Sequence, residues 1–369
     1  MALTSGHNLD DAELYSRLDP SGMRERLRDL PRYCLAAWQQ AQAFNLSDDW
    51  ADSEKVVIGG MGGSAIAGDL LANLAAIEGS LPILVVRDLH LPFFLNERTL
   101  FFACSYSGNT EETLALLDQA AKTDARIIAV SSGGALTTKA RQHQFPLLTI
   151  DLSLEPRSAV GYCLILLLGV LDQVGLVRVG AAELERTVQS LSQKICQLNE
   201  DVPVVENPAK QLAVELRDKL ILVYGSGLFS GMALRWKSQF NENAKIWSYS
   251  ETIPEMLHNS VEAFRSTLPM SELATVLLLQ PNVLDGAYPR HYAVVSELLG
   301  RGSIPYHILE GEQSSPLGQL LDMLILGDYV SYYLALLQGV DPSPNPSIDV
   351  AKDLLANPPT REPGMKPGR

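Results

Sequence analysis

Apolar and polar positions follow one another along the chain in two different rhythms. Up to about residue 50, Tyr15, Leu18, Met23, Leu27, Leu30 and Trp38 fall at loosely helical spacing, which predicts an N-terminal helical segment over 1–50. The β-branched run Val56-Val57-Ile58 then breaks into Gly59-Gly60-Met61-Gly62-Gly63-Ser64, and a helical pattern resumes over 65–76. Further short apolar runs predict strands at 82–86, 100–103, 126–130 and 145–150, and helical patterns lie at 111–121 and 158–174. Strands alternating with helices make βαβ units and a mainly parallel sheet flanked by helices. After a more polar helix at 183–198 and a connection at 201–208 containing two prolines, the rhythm restarts. Strands are expected at 220–224, 274–279 and 306–309, and helices at 230–240, 291–299 and 317–337. Both halves open on strand, glycine turn and helix, the mark of a weak internal duplication. The expectation is an α/β chain with two doubly wound subdomains, 51–200 and 201–369, and a loose tail from Pro358.

Composition narrows what such a chain can do. A length of 369 residues suits about two domains. With 46% apolar and 20% charged residues, a sizeable core can form and intrinsic disorder is excluded. The net charge of -14 repels a polyphosphate backbone, so no nucleic-acid partner is expected. A small phosphate site needs only local donors and stays open. Cys34, Cys104, Cys163 and Cys196 show no CxxC spacing, which speaks against a disulfide scaffold or structural zinc and for a reducing compartment. The first eleven residues are polar and acidic rather than a signal peptide. The run 159–171 has 13 residues, short of the roughly 20 that a membrane span needs. No membrane partner and a cytoplasmic location are therefore expected.

Two strand-to-helix turns carry candidate chemistry. In Gly60 to Ser64, backbone N–H groups and the helix dipole can face an anion. A tight turn for strand–helix packing would use the same glycines. Gly60-x-Gly62-x-x-Ala65 also fits the degenerate dinucleotide fingerprint, but Asp88, the only acid placed for a ribose, comes late and after Arg87. The second turn is Cys104-Ser105-Tyr106-Ser107-Gly108-Asn109-Thr110-Glu111-Glu112-Thr113. Ligands of open α/β sheets bind at the carboxyl ends of strands, and hydroxyls with free helix N–H groups suit a phosphate without Lys or Arg. Helix capping could account for Thr110 but explains Ser105 and Ser107 less economically. His7, His90, His143, His291 and His307 lack HxxH or HExxH spacing, so no metal site is expected. Tyr288, Tyr292, Tyr329, Tyr332 and Tyr333 read as packing rather than a base-stacking platform.

Gly-Met-Gly-Gly-Ser at 60–64 and Ser-Tyr-Ser-Gly-Asn-Thr at 105–110 resemble the sugar isomerase (SIS) domain. The whole chain resembles the bifunctional phosphoglucose/phosphomannose isomerases. Glu155-Pro156-Arg157-Ser158, Phe240-Asn241-Glu242-Asn243-Ala244-Lys245 and Leu257-His258-Asn259 support this, as do Gly339-Val340-Asp341-Pro342 and Ser347-Ile348-Asp349. The resemblance spans about 55–353 and implies two SIS-type subdomains, in a homodimer, that isomerise hexose 6-phosphates without metal or cofactor. It implies that Gly63, Ser64, Ser105, Ser107 and Thr110 hold the phosphate, that Arg157 stabilises an enediolate, and that Glu242 is the catalytic base. It implies that His258 opens the sugar ring from the other subunit of the dimer.

The chemistry agrees. Aldose–ketose isomerisation moves a proton between C2 and C1 through a cis-enediol. One carboxylate can remove and return it while a cation neutralises the oxyanion, and a histidine suits the O5–O1 proton shuttle. Without the resemblance, Glu242 could be an exposed helical acid, His258 a loop histidine, and Arg157 a partner of Glu155 or a helix cap. One departure is expected: the resemblance aligns a family lysine in the last long helix with Tyr333, and Lys352 lies beyond the tail motif. Loss of a charge-assisted contact of about 2–3 kcal/mol would slow turnover roughly 30–150-fold, leaving a slow enzyme, an altered substrate, or a non-catalytic sugar-phosphate binder.

Overall fold

In the computed structural model, residues 7–358 are described apart from 79–80, 153, 266–267 and 283–286. Helices α1 (Ala12–Leu18), α2 (Met23–Arg28) and α3 (Leu30–Gln42) come first. The first sheet contains β1 (Lys55–Gly60), β2 (Ile83–Val86), β3 (Thr99–Cys104), β4 (Arg126–Ser131) and β5 (Leu147–Thr149), interleaved with α4 (Gly62–Glu78), α5 (Glu111–Ala120) and α6 (Gly134–Gln142). Helices α7 (Val160–Gln173), α8 (Ala181–Leu198) and α9 (Pro208–Glu215) lead to the second sheet. This holds β6 (Leu220–Gly225), β7 (Ser248–Thr252), β8 (Ala274–Gln280) and β9 (Tyr306–Glu310). Its helices are α10 (Ser230–Glu242), α11 (Met270–Leu273), α12 (Ala287–Arg301), α13 (Pro316–Leu337) and α14 (Pro346–Ala356).

All pairings are parallel, in the orders β2-β1-β3-β4-β5 and β7-β6-β8-β9. The duplicated rhythm of the sequence is therefore a duplicated topology, with each half's first strand lying between its second and third. The middles of the central strands are continuous apolar runs because both faces are covered. Val56, Ile58, Leu100 and Phe102 pack inward with α3, α4 and α7. Val57, Phe101, Ala103 and Ile127 face Leu116, Leu117 and Leu136 of α5 and α6. In the second sheet, Ile221, Val223 and Leu277 join the same inner core, while Val276 and Leu278 meet Tyr292 and Val295 of α12. One hydrophobic core thus runs between the two sheets, and α13 lies in it. That helix has 22 residues and is apolar enough to cross a membrane. Here 20 of its 22 residues are buried inside the protein, where Asp328 pairs with Arg235 of α10.

Several elements depart from the sequence reading, among them α6 and the four-residue α11, neither of which was expected. The strand β7 was not anticipated, because an edge strand of sequence Ser-Tyr-Ser-Glu-Thr shows no apolar alternation. Helices α9 and α14 were likewise missed, although each begins at an Asn-Pro pair, Asn207-Pro208 and Asn345-Pro346. Asn caps and Pro at the first helical position form a start signal, and Asn207 accepts from the N–H groups of Ala209 and Lys210. The strand expected over 145–150 is shorter, Leu147–Thr149. The tail beyond 358 lies outside the described residues.

Candidate active site

The loops after β1 and β3 meet at the point where the strand order reverses, the position at which open α/β sheets take ligands. At the end of β1 the chains approach closely: a Cβ added at Gly60 would lie 2.8 Å from the Cys104 carbonyl oxygen. Gly62 has φ +50. Gly63 and the buried Ser64 occupy the first turn of α4. A Cβ added at Gly63 would lie 2.6 Å from the Pro156 carbonyl oxygen, so glycine is required where the 155–157 segment crosses this helix end.

The β3 loop supplies the hydroxyls. Ser105 is buried, and its Oγ lies 2.8 Å from Thr110 Oγ1 and accepts from the Gly108 N–H at 3.1 Å. Thr110 is the N-cap residue of α5, but its side chain makes no capping bond. Capping therefore does not explain it. Its hydroxyl is turned to Ser105, and the helix dipole remains directed at the same loop. Ser107 is exposed and accepts from the Asn109 N–H at 3.3 Å. Gly108 has φ +70 and sits against Gly133 of the β4 loop. Tyr106, which the sequence reading gave no role, joins this loop to the next part of the site. Its hydroxyl donates to the Leu152 carbonyl and accepts from the Leu154 N–H at 2.8 Å, just before Glu155.

Arg157 is 5% exposed. It neither pairs with Glu155 nor caps a helix. Glu155 is held by Arg26 at 2.6 Å, and α7 begins after Ala159. Instead Arg157 Nε donates to Asn243 Oδ1 at 2.8 Å, and Nη2 donates to the carbonyls of Pro342 and Ser343 at 2.8 and 2.6 Å. Its Nη1 lies 3.8 Å from Glu242 Oε2. Burial lowers the Arg157 pKa from its usual value, opposed by the Glu242 charge. Glu242 ends α10 and also accepts from Asn345 Nδ2 at 3.1 Å.

Lys245 completes the cluster. It has φ +59 and donates to the Glu242 carbonyl and, at 3.0 Å, to Asn345 Oδ1. Desolvation, then the neighbouring charge of Arg157, pushes its pKa down to about 8. Glu242, Lys245, Trp247, Asn345 and Ile348 line a cavity of about 450 Å³, within the range of small-molecule sites. A cavity of about 460 Å³ between α4, α10 and β7 is no smaller, but its charged lining is Asp69, Arg87 and Glu251, and Arg87 is tied to Asp69. Chemistry rather than size favours the Glu242 cavity.

The structure brings Arg157 and Glu242 together, and sets Gly63 and Ser64 beside the segment that carries Arg157. His258 is different. It is exposed on a 3-10 turn, Glu255–His258, after β7. Among the described residues no hydrogen bond or ion pair joins it to Glu242, Arg157 or the serines. The placing of Tyr333 at the site is corrected. It is fully buried in α13, its hydroxyl donates to the Leu198 carbonyl at 2.5 Å, and its ring stacks on Tyr329. The expected loss of charge at the site does not follow. Lys245, inside the quoted Phe-Asn-Glu-Asn-Ala-Lys string, supplies a cation there. Lys352 lies one helical turn beyond Ile348 on α14 and pairs loosely with Asp349 at 3.8 Å. Asp88 is exposed, accepts the Leu89 N–H and contacts His90.

A hydroxyl-lined loop at a parallel sheet's switch point, set against a guanidinium–carboxylate pair, is the arrangement of an SIS-type sugar-phosphate protein. Residues 205–355 match the model of the bacterial phospho-glucose isomerase C-terminal SIS domain. The fold resembles the crystal structure of tagatose-6-phosphate ketose/aldose isomerase from Escherichia coli, with a TM-score of 0.66 at 17% identity, covering 86% of this chain and 93% of that one. A bifunctional phosphoglucose/phosphomannose isomerase of Caldicellulosiruptor bescii is 34% identical over 90% of this chain and 99% of its own length. One of Thermoplasma volcanium is 32% identical over 82% and 92%. The chain belongs to the bifunctional phosphoglucose/phosphomannose isomerase family.

Proposed function

We propose that the protein interconverts glucose 6-phosphate, mannose 6-phosphate or both with fructose 6-phosphate. The observation that carries this reading is a carboxylate, Glu242, facing a cavity with Nη1 of the buried Arg157 at 3.8 Å and Lys245 on its other side. In the open-chain aldose, Glu242 takes the C2 proton. The electron pair forms the C1=C2 bond, and negative charge develops on O1, where Arg157 stabilises it. The O2 proton passes to O1, and as Glu242 returns its proton to C1 the O2 electron pair forms the ketose carbonyl at C2. Because the enediol is planar at C2, both epimers can share it. Ser64, Ser105, Ser107, Thr110 and the Gly63 N–H hold the phosphate, using hydroxyls and helix dipoles in place of lysine.

Ring opening is assigned to His258 of a second copy. Its exposure supports this, as do the exposed apolar side chains near the cavity: Trp247 and Tyr249 on the β7 edge, and Ile348, Leu354 and Leu355 on α14. The protein is accordingly read as a cytoplasmic homodimer. The reading as a sugar-phosphate binder without turnover rested on Tyr333, which lies in the core. A coupled assay of fructose 6-phosphate formation tests the proposal. Glu242→Gln should lower kcat by at least about 10³-fold; wild-type turnover in that variant would overturn the mechanism.

A further inference from the structure

Five N–H donors make up a guanidinium. In Arg157 the Nε donor goes to Asn243 and the Nη2 donors to two main-chain carbonyls. Among the described residues, only the Nη1 edge is left to meet Glu242 and the reacting carbons. What fixes this edge is the amide of Asn243, 1% exposed in the turn following α10. A reversed amide would set its NH2 against a group that can only donate.

The reversal is blocked from the other side as well. Asn243 Nδ2 donates to Ser331 Oγ at 3.0 Å, and the Ser331 hydroxyl spends its single proton on the Asp328 carbonyl, also at 3.0 Å. Towards Asn243, Ser331 can therefore only accept. Both neighbours demand the same amide orientation. On the opposite side of this array, the Asp328 carboxylate is held by Arg235 and Gln239.

We propose that Asn243 and Ser331 are positioning residues that orient Arg157 so that its Nη1 edge faces the developing oxyanion. This rests on the isomerase reading of the site. The experiment compares wild type with Asn243→Ala, Ser331→Ala, Ser331→Thr and, as a packing control that touches Asp328 but not Arg157, Gln239→Leu. Two readouts are taken. The first is kinetic: Asn243→Ala and Ser331→Ala should lower kcat 10- to 100-fold with KM within about twofold, Ser331→Thr should restore most of the rate, and Gln239→Leu should keep it. Asn243→Ala combined with Arg157→Lys should be no slower than Arg157→Lys alone.

The second readout needs no turnover. Calorimetry compares a hexonate 6-phosphate, whose carboxylate mimics the enediolate, with the matching hexitol 6-phosphate. Wild type should prefer the acid at least tenfold, and Asn243→Ala and Ser331→Ala should cut the preference below threefold with hexitol affinity unchanged. If both variants keep wild-type kcat and preference, or if Gln239→Leu loses them equally, the positioning role is overturned. If wild type prefers the acid but never turns sugars over, the isomerase reading fails while the positioning of Arg157 stands.

Discussion

Tyr333 and Lys245 show how differently two side chains can be placed from what alignment implies. The Tyr333 hydroxyl donates to the Leu198 carbonyl in the core. Tyr333→Phe should therefore cost about 1 kcal/mol of stability and leave kcat within twofold, as steady-state assay and thermal melting would show; a 30-fold loss of rate would return Tyr333 to the site. Lys245 carries charge beside Glu242 only below its depressed pKa of about 8. As pH rises through 8 it becomes neutral, so kcat should fall on the alkaline side, and Lys245→Met should be slower but flat there. Stability moves the other way. Between about pH 8 and the unfolded lysine value near 10.4, the unfolded chain binds more protons at this site, so its contribution to stability rises with pH. A pH–rate profile of both proteins would check this, and an unchanged alkaline limb in Lys245→Met would refute it.

At the level of elements, α10 carries Arg235 and Gln239 one turn apart, both reaching Asp328 of α13 in the core. Burial raises the Asp328 pKa against the pull of Arg235. Asp328→Ala leaves a buried guanidinium unpaired and should destabilise by about 3–5 kcal/mol, whereas Arg235→Met with Asp328→Leu should recover most of this; chemical denaturation would compare the two. The buried strands and helices were legible because their side chains repeat with a single period: the apolar runs within β1 and β3 and the glycine turns after them gave the parallel sheets and the switch point. The edge strand β7 was illegible because its outward side chains face no core, and α14 because none of its residues is buried. At the site, Glu242, Arg157 and the β3 serines could be picked out from their motifs. Asn345 and Tyr106 could not, since their roles arise from contacts across 103 and 46 positions of chain.

On the scale of the whole molecule, the proposed role of His258 in the cleft of a second copy makes a direct prediction. Mixing Glu242→Gln with His258→Ala should then regain about one quarter of wild-type activity, because half of randomly paired dimers are mixed and each carries one intact site of two. Absence of any recovery after subunit exchange would place His258 in its own chain's cleft or outside catalysis.

The position of α13 has a consequence for how the protein is made. The helix that fills the space between α9, α10 and α8 is encoded within the last sixth of the chain. During synthesis both sheets can pair while their inner flanks still lack this cover, so the growing polypeptide presents a wide greasy surface until residue 337 has left the ribosome. Nascent chains halted shortly before 316 should be strong clients of chaperones that bind exposed apolar segments, and release from them should coincide with emergence of this late-arriving helix.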